Sequence, residues 1–191
     1  MRSTTPVSYT ALVRTNANFR NLWFGEIVSL FGDWFNFIAS ATLIATLTGS
    51  GVAVGGLFVV RHLAPFLISP IAGVIADRVD RLKMSRLCQT LAGIHAFIMS
   101  ALTFTGLIDI WLLFALTLIL GVVLAFATAA RLAMVPNLIE PHYVPTAISM
   151  NSSIYNIARV IGPMVAAAMI SVFGIGATFL FNGLSYTVFV F

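Results

Sequence analysis

The sequence predicts an all-α integral membrane protein with six transmembrane helices. Of its 191 residues, 60% are hydrophobic and 8% are charged, whereas soluble domains are about 45–50% apolar and about 25% charged. The mean hydropathy is +1.02. A soluble protein with so few charges could not cover its surface with polar groups, but a surface in contact with lipid is apolar. The composition therefore favours the lipid bilayer as a partner of this chain.

Six apolar runs are long enough to span a membrane, which takes about 20 residues for a helix. They cover residues 22–47, 52–75, 85–105, 110–135, 146–172 and 177–191. Short turns separate the first run from the second, the third from the fourth and the fifth from the sixth, so we expect three helical hairpins. The stretch 136–145 contains three prolines, which we expect to break the helix after the fourth run. The runs are too long for membrane strands and do not alternate.

The basic residues are unevenly distributed along the chain. Eight of the ten lie before the first run, around the loop between the second and third runs, or at Arg131, which closes the fourth; the other two, Arg61 and Arg159, lie inside runs. The turns 48–51, 106–109 and 173–176 contain no Lys or Arg. This positive-inside pattern predicts a cytoplasmic N-terminal segment over residues 1–21 and a location in the cell (inner or plasma) membrane. The net charge of +4 is thus interpreted as orienting the protein, not as a nucleic-acid interface.

The sixth apolar run continues to Phe191 with no polar flank after it. We therefore expect the chain to be a fragment or one half of a larger protein, whose C-terminal half is absent.

Polar residues inside the first run form a stripe. Glu26, Ser29, Asp33, Asn36 and Ser40 recur at steps of three and four, which places them on one helix face. Such a face is expected to point into the bundle or into a water-filled cavity, because polar groups are costly in lipid. The two carboxylates, Asp33 and Glu26, are the candidates for ion coupling, since the proton affinity of a carboxylate depends on its access to water and to cations.

The fifth run repeats this arrangement. Its polar face carries Ser149, Ser152, Asn156, Arg159 and Pro163. An arginine near the middle of the membrane requires a partner; Asp33 is the expected partner of Arg159, and Arg61 of the second run could compete for it. The alternative for both arginines is a buried ion pair that only fixes helix packing. The candidate residues of a cavity wall are Asn36, Arg61, His62, Asn156 and Arg159.

The segment between the second and third runs reads Gly73-Val-Ile-Ala-Asp77-Arg78-Val-Asp80-Arg81-Leu-Lys83. It resembles the signature loop of the major facilitator superfamily. The resemblance implies that Gly73 lets helices of two halves approach each other. It also implies that a gating loop latches the halves in the outward-open state; its residues are Asp77, Arg78, Arg81 and Lys83. Asp80 departs from the motif, because the family usually has glycine there.

Two other stretches resemble the branch that includes macrolide-efflux and enterobactin-exporter-like proteins. One is Asn18-Phe-Arg-Asn-Leu-Trp-Phe-Gly25 with the later Gly32-Asp33, and the other is Arg159-Val-Ile-Gly162-Pro163. Here the resemblance implies a kinked, closely packed helix at Gly162 and Pro163. Thr117 stands where drug–proton antiporters carry an arginine, which departs from their scheme.

The resemblance implies an N-terminal six-helix half with an inverted 3+3 repeat. In that arrangement spans one, two, four and five line the cavity, whereas spans three and six face lipid. The implied function is a secondary transporter, an antiporter that uses an ion gradient for the efflux of small amphipathic molecules by alternating access. The alternatives are a six-helix channel complete at this length, and a non-transporting scaffold or truncated inactive product. The sequence contains no catalytic, metal or cofactor motif, so we expect no enzymatic activity and no cofactor.

Overall fold

The computed structural model describes residues 13, 14 and 16–190, apart from the side chains of residues 18, 135–138 and 188–190. Within this range the chain is helical and contains no strand. Five helices are long and apolar enough to cross a membrane. They are α1 (Ala17–Thr48), α2 (Gly51–Ala76), α3 (Arg81–Thr105), α4 (Ile110–Leu138) and α5 (Val144–Val190), with a 3₁₀ turn at Pro141–Tyr143.

Polar side chains fix where the first four helices begin. Each of these N-cap residues accepts a hydrogen bond from a backbone N–H of the first turn, which has no partner inside the helix. The caps are Asn16 of α1, Ser50 of α2, Asp80 of α3 and Asp109 of α4. These short polar signals, and not the edges of the apolar runs, therefore set the helix starts.

Three predicted boundaries need correction. α1 begins at Ala17, inside the predicted N-terminal segment 1–21, whose residues 1–12 and 15 lie outside the described range. α3 begins at Arg81 and not at residue 85, because Asp80 caps a polar first turn. α4 continues past Pro136 to Leu138, so the prediction that the prolines end it at residue 135 was wrong. Only a short stretch, with the turn Pro141–Tyr143, separates α4 from α5.

The last helix, α5, contains a single non-helical residue. Gly174 has φ 82° and ψ 170°, in a region of backbone conformation that residues with a side chain avoid. We name residues 144–173 the first arm of α5 and residues 175–190 its second arm. The predicted turn over residues 173–176 is thus replaced by a break at one glycine.

Replacing Gly174 with alanine is expected to destabilise the protein by about 1–3 kcal/mol. A Cβ at this position would meet no atom within 4 Å, so the cost comes from the backbone alone. Cys88 is the only cysteine in the chain and is buried; its reaction with a thiol-reactive dye on heating reports unfolding. Gly55→Ala is the matched control, because Gly55 lies inside α2 with equal open space. The control is expected to be neutral or slightly stabilising, and equal thermal midpoints for the two variants would contradict a backbone cost at Gly174.

Helix α1 packs against both arms of α5. Trp34 of α1 lies against Gly162 of the first arm, where a Cβ would lie 2.6 Å from the Trp34 ring atom Cδ1. Two residues earlier on α1, Gly32 lies against Asn182 of the second arm. The glycines allow this close approach because they have no side chain.

The other contacts complete a bundle. α2 packs on α4, and α3 packs on α4 and α5. The largest buried apolar cluster lies near the end of the bundle at which α1 ends; its members are Ala39, Leu43, Ile44, Leu57, Met99, Ile108, Leu113 and Phe179. At the opposite end lie the start of α1 and the loop between α2 and α3, with Arg20, Arg78, Arg81, Lys83 and Arg86. We call this the basic end.

Candidate functional site

The polar stripe of α1 faces the interior of the bundle, as its spacing predicted. Glu26, Ser29, Asn36 and Ser40 are each no more than 3% exposed, and Asp33 is half-buried. Ser29 accepts a long hydrogen bond of 3.5 Å from the Gln89 amide of α3. The Asn36 Nδ2 atom has no hydrogen-bond partner among the described residues. The stripe therefore holds one carboxylate, Glu26, near the basic end and a second, Asp33, about two helical turns deeper.

Glu26 forms a buried ion pair with Arg131 of α4. The guanidinium Nη1 atom donates to Glu26 Oε1 at 3.4 Å, and the two side chains, arginine first, are 7% and 3% exposed. Tyr155 of the first arm of α5 lines the same cavity as Glu26. The pair joins α1 and α4. Its two charges stabilise each other in surroundings that contain little water, where a lone charge is costly.

A cavity of about 220 Å³ opens beside this pair. Charged, polar and apolar side chains form its wall together: Glu26, Thr128, Arg131, Leu132, Val144, Ile148, Asn151, Ser152 and Tyr155. These residues come from α1, α4 and the first arm of α5. A mixed wall of this kind suits a small molecule with both polar and apolar parts.

Asp33 bonds a tyrosine and not the predicted arginine. The Tyr186 hydroxyl of the second arm donates to Asp33 Oδ1 at 2.6 Å. Arg61 of α2 donates to the Asp33 backbone carbonyl through Nη2 at 3.4 Å and lies 4.8 Å from the centre of the Phe37 ring. Arg159 is exposed and has no carboxylate within 4.0 Å in the described part of the chain. The expected pair of Asp33 with Arg159 was therefore wrong, whereas the proximity of Arg61 was anticipated.

The remaining candidate residues are spread over the bundle. His62 is exposed, with its Nδ1 atom 2.9 Å from the Phe58 carbonyl. Asn156 is exposed on α5 and donates to the Ser152 carbonyl at 2.9 Å. Asn36, by contrast, is buried in the interior. The structure thus does not gather the five predicted cavity residues into one cluster.

Arg81 ties the loop between α2 and α3 to a neighbouring carboxylate and to α4. Arg81 lies 3.7 Å from the Asp77 carboxylate, and its Nη1 atom donates to the Ala133 carbonyl near the end of α4 at 2.9 Å. Asp77 remains 72% exposed, and a Cβ on Gly73 would meet nothing within 4 Å. Arg78 and Lys83 are exposed as well. One side of the loop is therefore fixed to α4, and the side chains of Asp77, Arg78 and Lys83 are exposed.

Asp80, the residue that departs from the superfamily motif, is the N-cap of α3. Its Oδ1 atom accepts from the backbone N–H groups of Leu82 at 3.0 Å and of Lys83 at 3.1 Å. We expect Asp80→Ala to lower the free energy of unfolding by about 1 kcal/mol, because a capping side chain is lost. Asp80→Asn keeps an acceptor oxygen and is the control. Unfolding followed by the reaction of Cys88 checks this; equal losses in both variants would point to the charge and not to the cap.

The sequence matches the family described as "Transmembrane secretion effector" over residues 8–191. The chain belongs to this family of the major facilitator superfamily. It is therefore a multi-pass membrane protein of a transporter family, which agrees with the five membrane-competent helices.

Curated relatives are similar over most of this chain. The "Staphyloferrin A transporter" of Staphylococcus aureus is 28% identical over 160 residues, which are 83% of this chain and 40% of the relative. The "Macrolide efflux protein A" of Streptococcus pyogenes is 24% identical over 83% of this chain and 39% of its own length. The "Uncharacterized MFS-type transporter YfiS" of Bacillus subtilis is 25% identical over 90% and 40%. The chain thus spans about two fifths of the relatives it matches. No solved structure matches it.

Proposed function

We propose that this chain forms a six-span half of a secondary transporter that exports small amphipathic molecules by alternating access, driven by an ion gradient. The observation that carries the proposal is the polar interior of α1, where Glu26 and Asp33 each bond a side chain on another helix. Ionisable groups inside a membrane are costly and are typical of ion and substrate pathways. Membership of a transporter family supports this interpretation.

The break at Gly174 supports a sixth span. Gly162 and Asn182 belong to different arms of α5, yet they contact α1 at neighbouring positions, Trp34 and Gly32. In one straight helix, the distance from Gly162 to Asn182 would be about 30 Å. We therefore assign the two arms to antiparallel spans five and six. Six spans would also permit the inverted 3+3 repeat of the superfamily.

Asp33 is the proposed coupling residue, with Glu26 as a second site. Three elements meet at Asp33: its own helix α1, Arg61 of α2 and Tyr186 of the second arm. Loss or gain of a charge on this carboxylate would change the hydrogen bond that Tyr186 donates to it and its electrostatic attraction to the guanidinium of Arg61, which lies beside it. A local protonation event could thereby bias a rearrangement of whole helices, which a gradient-driven carrier requires.

A second half is proposed to complete the transport path. The first arm of α5 exposes Ser152, Asn156 and Arg159, which lipid would not solvate. Asp77 and Gly73 are open to a further helix, in line with a latch between halves. The relatives are longer than this chain by more than a factor of two, so a matching half is compatible with their length.

Efflux of amphipathic molecules is proposed from the mixed wall of the cavity and from the name of one relative, a macrolide efflux protein. The positive-inside rule supports an N-terminus in the cytoplasm, which puts the basic end and the nearby cavity on that side of the cell membrane. An export substrate would then enter this cavity from the cytoplasm.

Entrance counterflow in proteoliposomes tests the proposal. Vesicles that contain the complete transporter are loaded with an unlabelled amphipathic compound, diluted, and given a trace of the same compound in labelled form. A carrier that alternates its access is expected to accumulate the label transiently above its outside concentration. A channel only equilibrates the label, and a scaffold takes up none. Either of these two results, for every member of a panel of cationic and anionic dyes, would contradict the proposed function.

A further inference from the structure

The three arginines deep in the helices differ in what surrounds them. Arg131 is paired with Glu26. Arg61 bonds the Asp33 carbonyl and lies over the Phe37 ring. For Arg159, the described residues supply neither a carboxylate nor a hydrogen-bond acceptor. Because Arg61 and Arg131 each have an acidic residue beside them, Arg159 is the positive charge that these helices leave uncompensated.

Arg159 also lies where lipid is not expected. It is about 22 Å along α5 from Val144, roughly the middle of the first arm. The exposed apolar side chains Val160 and Met164, both 68% exposed, lie on an adjoining face of the same arm. The helix therefore has a separate lipid-compatible face, and the face of Arg159 is the polar one.

The polar face is continuous with the cavity beside Glu26. Ser152 belongs to the wall of that cavity. Asn156 and Arg159 follow Ser152 at one-turn intervals on the same side of the arm. A molecule in the cavity thus has a polar path of about 10 Å that leads deeper and ends at a free guanidinium.

We propose that Arg159 binds the anionic group of the transported molecule, so that the substrate class is amphipathic anions, with carboxylates as the simplest case. This rests on the proposed transport function. A planar guanidinium with five N–H donors binds a carboxylate through two parallel hydrogen bonds. The apolar body of the molecule would lie against Leu132, Val144 and Ile148 of the cavity wall. The alternative partner of Arg159 is a carboxylate from the second half of the transporter. The test below distinguishes this partner from a substrate anion.

Two dansyl probes with the same body and opposite charge test the proposal. One is 6-(dansylamino)hexanoate and the other is 6-(dansylamino)hexyl-trimethylammonium; the rise in dansyl fluorescence on titration of the purified complete transporter gives the Kd. We expect the anionic probe to bind the wild type more tightly. Arg159→Gln should weaken its binding by about tenfold or more, the loss expected for a hydrogen bond to a charged group. Arg159→Lys should restore part of the affinity, and Arg159→Glu should reverse the preference between the probes.

Arg86→Gln is the matched control, because Arg86 is an exposed arginine near the basic end, and it should leave both Kd values unchanged. Equal binding of both probes to the wild type, or an Arg159→Gln variant that elutes as a folded monodisperse protein and binds like the wild type, overturns the proposal. An Arg159→Gln variant that unfolds at lower temperature with unchanged Kd points to a carboxylate of the second half and also overturns it. Counterflow of the cationic probe alone would contradict the role of Arg159 and still support the transport function. Binding of the anionic probe without counterflow of either probe would support the role of Arg159 and contradict the transport function.

Discussion

Asp33→Asn is expected to abolish uphill transport and to leave the fold intact. Asparagine has nearly the same shape and can still accept the hydrogen bond that Tyr186 donates at 2.6 Å, so the contact between α1 and the second arm is kept. It cannot gain or lose a proton near neutral pH, so residue 33 could no longer carry the charge change that the proposed coupling step requires. Accumulation of a transported compound against its gradient, measured in energised membrane vesicles, should fall to the level of vesicles without transporter.

Asp109→Asn is the control for this variant. Asp109 caps α4 through a 2.8 Å bond from the Leu112 N–H, and asparagine caps a helix equally well. The control should transport like the wild type. Counterflow should survive in Asp33→Asn, since exchange of substrate does not require a coupled ion. Unchanged gradient-driven accumulation in Asp33→Asn would exclude Asp33 as the coupling residue.

Arg131→Met is expected to destabilise the protein more than the loss of the Asp80 cap or of Gly174. It leaves Glu26 buried without its partner, and the loss of one member of a buried ion pair costs about 3–5 kcal/mol. The double variant Glu26→Gln, Arg131→Met removes both charges and should recover most of that loss. The reaction of Cys88 with a thiol-reactive dye on heating, under the same detergent conditions for each variant, measures the ranking.

Arg86→Met provides the baseline, because an exposed arginine is expected to contribute within about 0.5 kcal/mol. A double variant no more stable than Arg131→Met would show that the side chains contribute through packing and not as a charge pair. A stable Arg131→Met protein would contradict the burial of the pair.

The sequence predicted the orientation of α1 because a helix has a fixed period. Once Glu26, Ser29 and Asn36 fall on one face, the cost of polar groups in lipid decides that this face is buried, and the structure confirms it. Periodicity does not give the register between helices. The pairing of Asp33 with Arg159 was wrong for that reason: both residues lie deep in their helices, but on faces that do not meet.

Two parts of the site carry no clear signal in the sequence pattern. The sequence pattern marks Arg131 only as the basic residue near the end of the fourth span; the structure pairs it with Glu26 inside the bundle. Tyr186 stands among many aromatic residues of an apolar run, where nothing marks its hydroxyl as a partner for Asp33. In the sequence, Asp80 stands out only as a departure from the motif. Its role as the N-cap of α3 follows from the backbone N–H groups that it accepts from in the structure.

The proposed function requires that an ion gradient drives the complete protein to concentrate an amphipathic substrate. Reconstitution of the complete protein in proteoliposomes, with a panel of anionic and cationic amphipathic compounds and an imposed proton or sodium gradient, measures this most directly. At least one compound is expected to accumulate above its equilibrium level, and the accumulation should collapse when an ionophore dissipates the gradient. If every compound only equilibrates across the membrane, with or without the gradient, the claim is contradicted.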